Sequence, residues 1–124
     1  MTQHNEPHAG VVMTGRDGED GTKAFYIHIE AKPDKVAEVR QMLADILGHV
    51  EGEPATGPWY GVQSSPTTFA IFEVFPDIVG RQAHVDGGGG DIFRDVERMN
   101  DILAAPAHVQ KVDVLLSKQV FTAQ

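Results

Sequence analysis

An α+β fold of the split β-α-β, ferredoxin-like kind, with a four-stranded antiparallel sheet, is what this 124-residue sequence predicts. Three observations carry the prediction. Apolar residues alternate with polar ones over residues 24–31, whereas 68–75 is apolar on both faces. A stripe at helical spacing runs through Val36, Val39, Leu43, Ile46, Leu47 and Val50. The segments follow in the order strand, helix, strand, strand, helix in two pieces, strand.

The first strand puts Phe25, Ile27, Ile29 and Ala31 on one face and Tyr26, His28 and Glu30 on the other. Lys32-Pro33-Asp34 opens the first helix, since proline and an acid both suit a first turn. Glu51-Gly52-Glu53-Pro54 stops it. Gly57-Pro58 leads into a strand over 59–64, and Ser65-Pro66-Thr67 reads as a tight turn. In the strand 68–75, Glu73 is the one charge, so both faces need cover. Pro76 ends that strand, and Asp77 starts a short helix to about Val85.

The run Asp86-Gly87-Gly88-Gly89-Gly90 breaks that helix. Asp91 is expected to cap the next, which buries Ile92, Phe93, Val96, Met99, Ile102 and Leu103. Ala105-Pro106 ends it, a last strand covers 109–116, and Phe121 lies just beyond. Residues 1–23, rich in Gly, Asp, Glu, Thr and His, read as a flexible arm before a single domain over 24–121. Within the arm, Val11-Val12-Met13 is an apolar patch suited to docking on the domain or on a partner chain, and His4 and His8 are solvated.

Composition excludes several classes of function. Eighteen acidic against ten basic residues give a net charge of −8, with no basic stripe, which argues against nucleic acid as a partner. The absence of cysteine rules out disulfides, thiolate metal sites and thiol nucleophiles. No apolar run approaches the ~20 residues of a membrane span, and no secretory pattern opens the chain, so the expected location is cytoplasmic. No His, Asp and Glu cluster has metal-ligand spacing. The glycine tract lacks the Lys-Ser/Thr of a phosphate loop and reads as a hinge or lid. Neither metal nor cofactor is therefore expected.

The candidate chemistry centres on His84, placed by a strand-to-helix corner with Arg81 one turn before it. An imidazole there suits proton abstraction near neutral pH, against the plainer reading of a helix-surface histidine. His28, Tyr26, Trp59 and Tyr60 are candidates to line the same cavity; Trp59 is either core or a stacking surface. Glu73 is expected to be structural, accepting from Arg81, a backbone amide or a neighbouring strand; the sequence leaves open the alternative of a buried, unpaired acid with a raised pKa. His49 and His108 are read as surface residues. The outer sheet face would be bare in a monomer, which predicts a homodimer paired through the sheets.

The run Phe69 to Asp77, with Gly80-Arg81-Gln82-Ala83-His84, resembles the antibiotic biosynthesis monooxygenase family; so does Leu103-Ala104-Ala105-Pro106 through Lys111 to Leu115. The resemblance covers roughly residues 24–118 and implies a dimeric α/β barrel of ferredoxin-like protomers. It also implies cofactor-free oxygenation of quinols or polycyclic phenols. On this reading His84 is the family's helix histidine, Glu73 its strand acid and Trp59 an aromatic of the second strand. Two features depart from the family: the glycine tract replaces a more helical stretch, and His28 is not expected on the first strand.

The function so implied is base-assisted reaction of a small aromatic substrate with O2. His84 removes a phenolic proton, helped by His28 or Tyr26, while Trp59, Tyr60, Phe72, Phe75 and Arg81 form the binding surface. Two alternatives stand beside it: a dimeric module that binds or senses an aromatic metabolite without converting it, and haem binding or degradation with His84 on iron.

Overall fold

Period-two alternation over β2 (Lys23–Glu30) drives Phe25, Ile27 and Ile29 into the core and leaves Tyr26 and His28 outside. This strand lies mid-sheet, antiparallel to β4 (Thr68–Phe75) on one side and β5 (Ala107–Asp113) on the other. Strand β3 (Trp59–Gln63) pairs antiparallel with the outer edge of β4. Four helices cover one sheet face: α1 (Val36–Val50), α2 (Ile78–Asp86), α3 (Gly88–Arg94) and α4 (Val96–Ile102). The computed structural model describes residues 7–118; His4 and Phe121 lie outside the described residues.

The expected α+β, ferredoxin-like order is present, but the four antiparallel strands need a correction. Part of the presumed arm, β1 (Val11–Thr14), adds a fifth strand parallel to β5, giving the mixed order β1-β5-β2-β4-β3. Its register sets Val11 beside Ala107 and Met13 beside Val109. The segment thus satisfies the open hydrogen-bonding edge of β5 and covers apolar side chains at once. Gly15 ends it at φ +91°, where a Cβ would stand 2.4 Å from the Lys111 carbonyl oxygen. Docking of Val11-Val12-Met13 on the domain is the outcome for that apolar patch.

Other boundaries shift for local reasons. Strand β5 begins two residues earlier than expected and ends at Asp113, which holds the buried Lys23 ammonium at 2.7 Å. Leu115 and Leu116, expected within the strand, are exposed. Asp77 caps α2 as expected, its Oδ1 accepting from the Gly80 amide at 2.7 Å. The helix break is confined to Gly87, however: Gly88, Gly89 and Gly90 form the first turn of α3 rather than a loop. Asp91 lies inside that helix, and the cap of the last helix is Asp95, which accepts from the Arg98 amide.

The core lies between the sheet and the helices. Phe25, Ile27, Ile29, Phe69, Ile71 and Phe75 from the strands meet Val39, Met42, Ile46, Met99 and Ile102 from the helices. The outer sheet face stays open. Tyr26, Phe72, Tyr60 and Val62 are 42, 36, 55 and 51% exposed there, so the second face of β4 is not covered within one chain.

Candidate functional site

Helix α2 presents Gly80, Arg81 and His84 to the interior, a spacing that puts them on one helical face. Glu73 faces the same interior from β4, because it shares the parity of Phe69, Ile71 and Phe75. His84 is 5% exposed and Glu73 1%. The imidazole bridges two carboxylates: Nδ1 lies 2.8 Å from Glu53 Oε1, and Nε2 lies 3.0 Å from Glu73 Oε2. The Phe75 ring packs against it, with centroids 5.2 Å apart.

The two carboxylates differ in how well they are satisfied. Glu53 stands in the turn after α1 and also accepts from Thr56 Oγ1 at 2.7 Å. Glu73 Oε2 stands 3.0 Å from His84 Nε2, whereas Oε1 is buried with no hydrogen-bond partner among the described residues. Burial disfavours the charged imidazole. The hydrogen bonding and charge of Glu73, then of Glu53, outweigh that penalty and hold the His84 pKa above its ordinary value.

Beside this group lies a cavity of about 160 Å³, lined by Glu73 and His84 together with apolar side chains that include Val11, Phe25, Ile27 and Phe93. Walls come from β1, β2, β4, β5, α2 and α3. The cavity is therefore apolar except for the Glu73–His84 corner and the margin at Arg94.

The structure separates the predicted site residues into two sets. His84, Glu73 and Phe75 meet on the helix side. Tyr26, His28, Tyr60 and Phe72 lie on the opposite sheet face, by the alternation of their strands, so the expected single cavity holding both histidines with Tyr26 and Tyr60 is corrected. His28 instead pairs with Glu30 at 2.8 Å. Trp59 is half-buried beside Glu73 in the ladder; its indole N–H is buried and has no partner among the described residues, but the ring does not line the cavity.

Arg81 neither lines the cavity nor meets Glu73. Its guanidinium donates to the carbonyls of Ala24 (3.1 Å) and Val112 (3.4 Å) and to Asp17 (3.3 Å), with the Phe25 ring 5.3 Å away. It ties α2 to β2, β5 and the residues after β1. Sequence reasoning missed Glu53 as the second partner of His84, because 31 residues separate them and Glu53 reads only as part of a helix stop. Among the described residues, no group of three or more His, Cys, Asp or Glu is placed to hold a metal ion, and no helix is long and apolar enough to cross a membrane.

No family model matches the chain, and no curated protein does. Solved structures are similar to it. A Nitrosomonas europaea protein of unknown function is 30% identical with a TM-score of 0.73, the alignment covering 85% of this chain and all of that one. Two proteins named "putative antibiotic biosynthesis monooxygenase" follow. One, from Caulobacter crescentus, has 18% identity, a TM-score of 0.66 and coverage of 78% of this chain and 92% of its own. The other, also from Nitrosomonas europaea, has 19% identity, a TM-score of 0.68 and coverage of 79% and 94%. These two establish shared fold and support the resemblance seen in the sequence. The chain belongs to one family with the Nitrosomonas europaea protein of unknown function, and the fold that carries its site is that of the antibiotic biosynthesis monooxygenases.

Proposed function

We propose that this protein oxygenates a small phenol or hydroquinone without a bound cofactor. The observation that supports the reading is a buried carboxylate–imidazole–carboxylate group on the wall of an apolar cavity. A phenol entering the cavity sets its ring against Phe25, Ile27 and Phe93 and its hydroxyl at the Glu73–His84 corner. Loss of the phenolic proton to that pair leaves an electron-rich ring anion that reacts with O2, and the apolar walls keep water from the intermediate. The balance closes with no added reductant: a phenol with a free ring C–H and one O2 give a quinone and one water, the substrate supplying all four electrons.

Oxygen uptake by metal-stripped protein should rise on addition of hydroquinone or a substituted phenol and fall at least about 100-fold in His84→Ala, in keeping with loss of acid–base assistance. A flat trace across the panel, or uptake indifferent to that substitution, would remove the reading. Binding of the phenol with no oxygen uptake would instead favour the non-catalytic module. His28 and Tyr26, on the far sheet face, have no part in this chemistry within one chain.

That far face has its own proposed role as the contact with a second copy, in keeping with the open Tyr26, Tyr60, Val62 and Phe72 surface. Sedimentation at micromolar concentration should then give twice the 13.5 kDa chain mass, and Phe72→Glu should halve it. A monomer at every concentration tested would count against the pairing.

A further inference from the structure

We infer that Glu73, rather than His84, is the residue that grips the ligand, and that the ligand is a single-ring hydroxyarene bound through its O–H. This deepens the proposed function and rests on the same cavity. Three observations carry it. His84 has a carboxylate near each ring nitrogen, 2.8 Å at Nδ1 and 3.0 Å at Nε2, so the imidazole has no free edge to offer. Glu73 is 1% exposed, lines the cavity, and has one oxygen facing His84 while the other, Oε1, is buried with no hydrogen-bond donor among the described residues. Buried carboxylate oxygens without donors are costly, and a ligand hydroxyl in the cavity supplies the missing donor.

Size and charge narrow the ligand class. A cavity of about 150 Å³ is known to hold a benzene ring, so about 160 Å³ suits one ring better than the fused polycycles that the family resemblance implies. The buried carboxylate disfavours an anion at the polar corner itself, where a neutral phenol is accepted more readily than a benzoate or aryl phosphate. Within the pair, His84 is a positioning residue: its ring, fixed by Glu53 and Phe75, sets where the Glu73 carboxylate stands. When the phenol gives up its proton to Glu73, the negative charge moves from carboxylate to phenolate beside the same imidazole. The net charge of the buried corner does not change, which avoids a new desolvation cost.

Calorimetric titration of the intact protein with phenol, anisole, benzene and 2-naphthol tests the assignment. Phenol should bind about 10- to 100-fold tighter than anisole, which keeps the ring and loses the donor. That preference should vanish in Glu73→Leu and shrink in the isosteric Glu73→Gln, while benzene affinity persists in both and shows the cavity intact. Naphthol should bind more weakly than phenol. For His84→Gln, phenol affinity should fall and its pH dependence flatten, whereas a merely structural imidazole would leave the pH profile in place. Equal affinity for phenol and anisole in the native protein overturns the inference, as do a phenol preference that survives both Glu73 variants and a total lack of binding. A Glu73-dependent phenol preference without oxygen uptake would sink the oxygenase reading and leave this one standing.

Discussion

Replacing His84 with alanine should cost about 3–5 kcal/mol of folding stability, because it leaves Glu73 buried and without the ion-pair partner it has among the described residues. The double variant His84→Leu, Glu73→Leu should recover most of that loss, since two apolar side chains fill the corner with no charge to satisfy. Urea unfolding of the two variants beside the native protein measures both numbers. A loss below about 1 kcal/mol would mean that the pair behaves as a solvated surface contact.

The same residue sets a pH signature. Its folded-state pKa is raised, so the native state holds the proton over a range where the unfolded chain, at about 6.5, has released it. The His84 contribution is therefore complete below about pH 6.5 and is lost as pH rises through the folded value. Native stability should decline with alkaline pH over that window, and the His84→Ala variant should lack that part of the decline. An identical pH slope in both proteins would contradict the assigned shift.

Gly90→Ala should cost about 1–3 kcal/mol and weaken ligand binding together, since a Cβ there would stand 1.8 Å from the Val85 carbonyl oxygen. That contact is to backbone, so no rotamer change relieves it; the corner between α2 and α3 has to open. The added methyl also crowds Arg94, which donates to the same carbonyl at 2.7 Å. Opening the corner moves Phe93 and carries Gly89 away from the His84 ring, whose Cε1 would lie 2.8 Å from a Cβ at that position. Gly48→Ala is the contrast: nothing lies within 4 Å of its Cβ, and the helix interior should gain roughly 0.5–1 kcal/mol. Paired thermal melts of the two variants would decide the matter, and a Gly90→Ala protein as stable as the native one would refute the close packing.

Side-chain parity made much of the fold legible. Phe25, Ile27 and Ile29 alternate with Tyr26, His28 and Glu30, and the ladder keeps each set on its own face. The same rule assigns Glu73 to the core side and Phe72 to the outer one. Applied across β2 and β4 together, it places His28 away from His84; residue type instead grouped the two as one candidate site. Parity could not find Glu53, which reaches His84 from a turn and depends on how α1 and α2 pack. Nor could composition show that three glycines enter a helix: glycine normally breaks one, and here the close approach of α3 to α2 and to His49 and His84 leaves no room for a Cβ.

The strand that composition hid also decides what the cavity admits. Val11 and Met13 of β1 form part of the cavity wall, yet β1 is hydrogen-bonded into the sheet along β5 at its margin and lies outside the β-α-β-β-α-β frame. Part of the cavity wall is thus carried by a stretch of chain outside that frame. Substitutions at Val11 or Met13 can widen or narrow the chamber while leaving the Glu73–His84–Glu53 corner untouched. If the cavity takes the ligand proposed above, its selectivity can drift through Val11 and Met13 at the sheet margin without altering that corner.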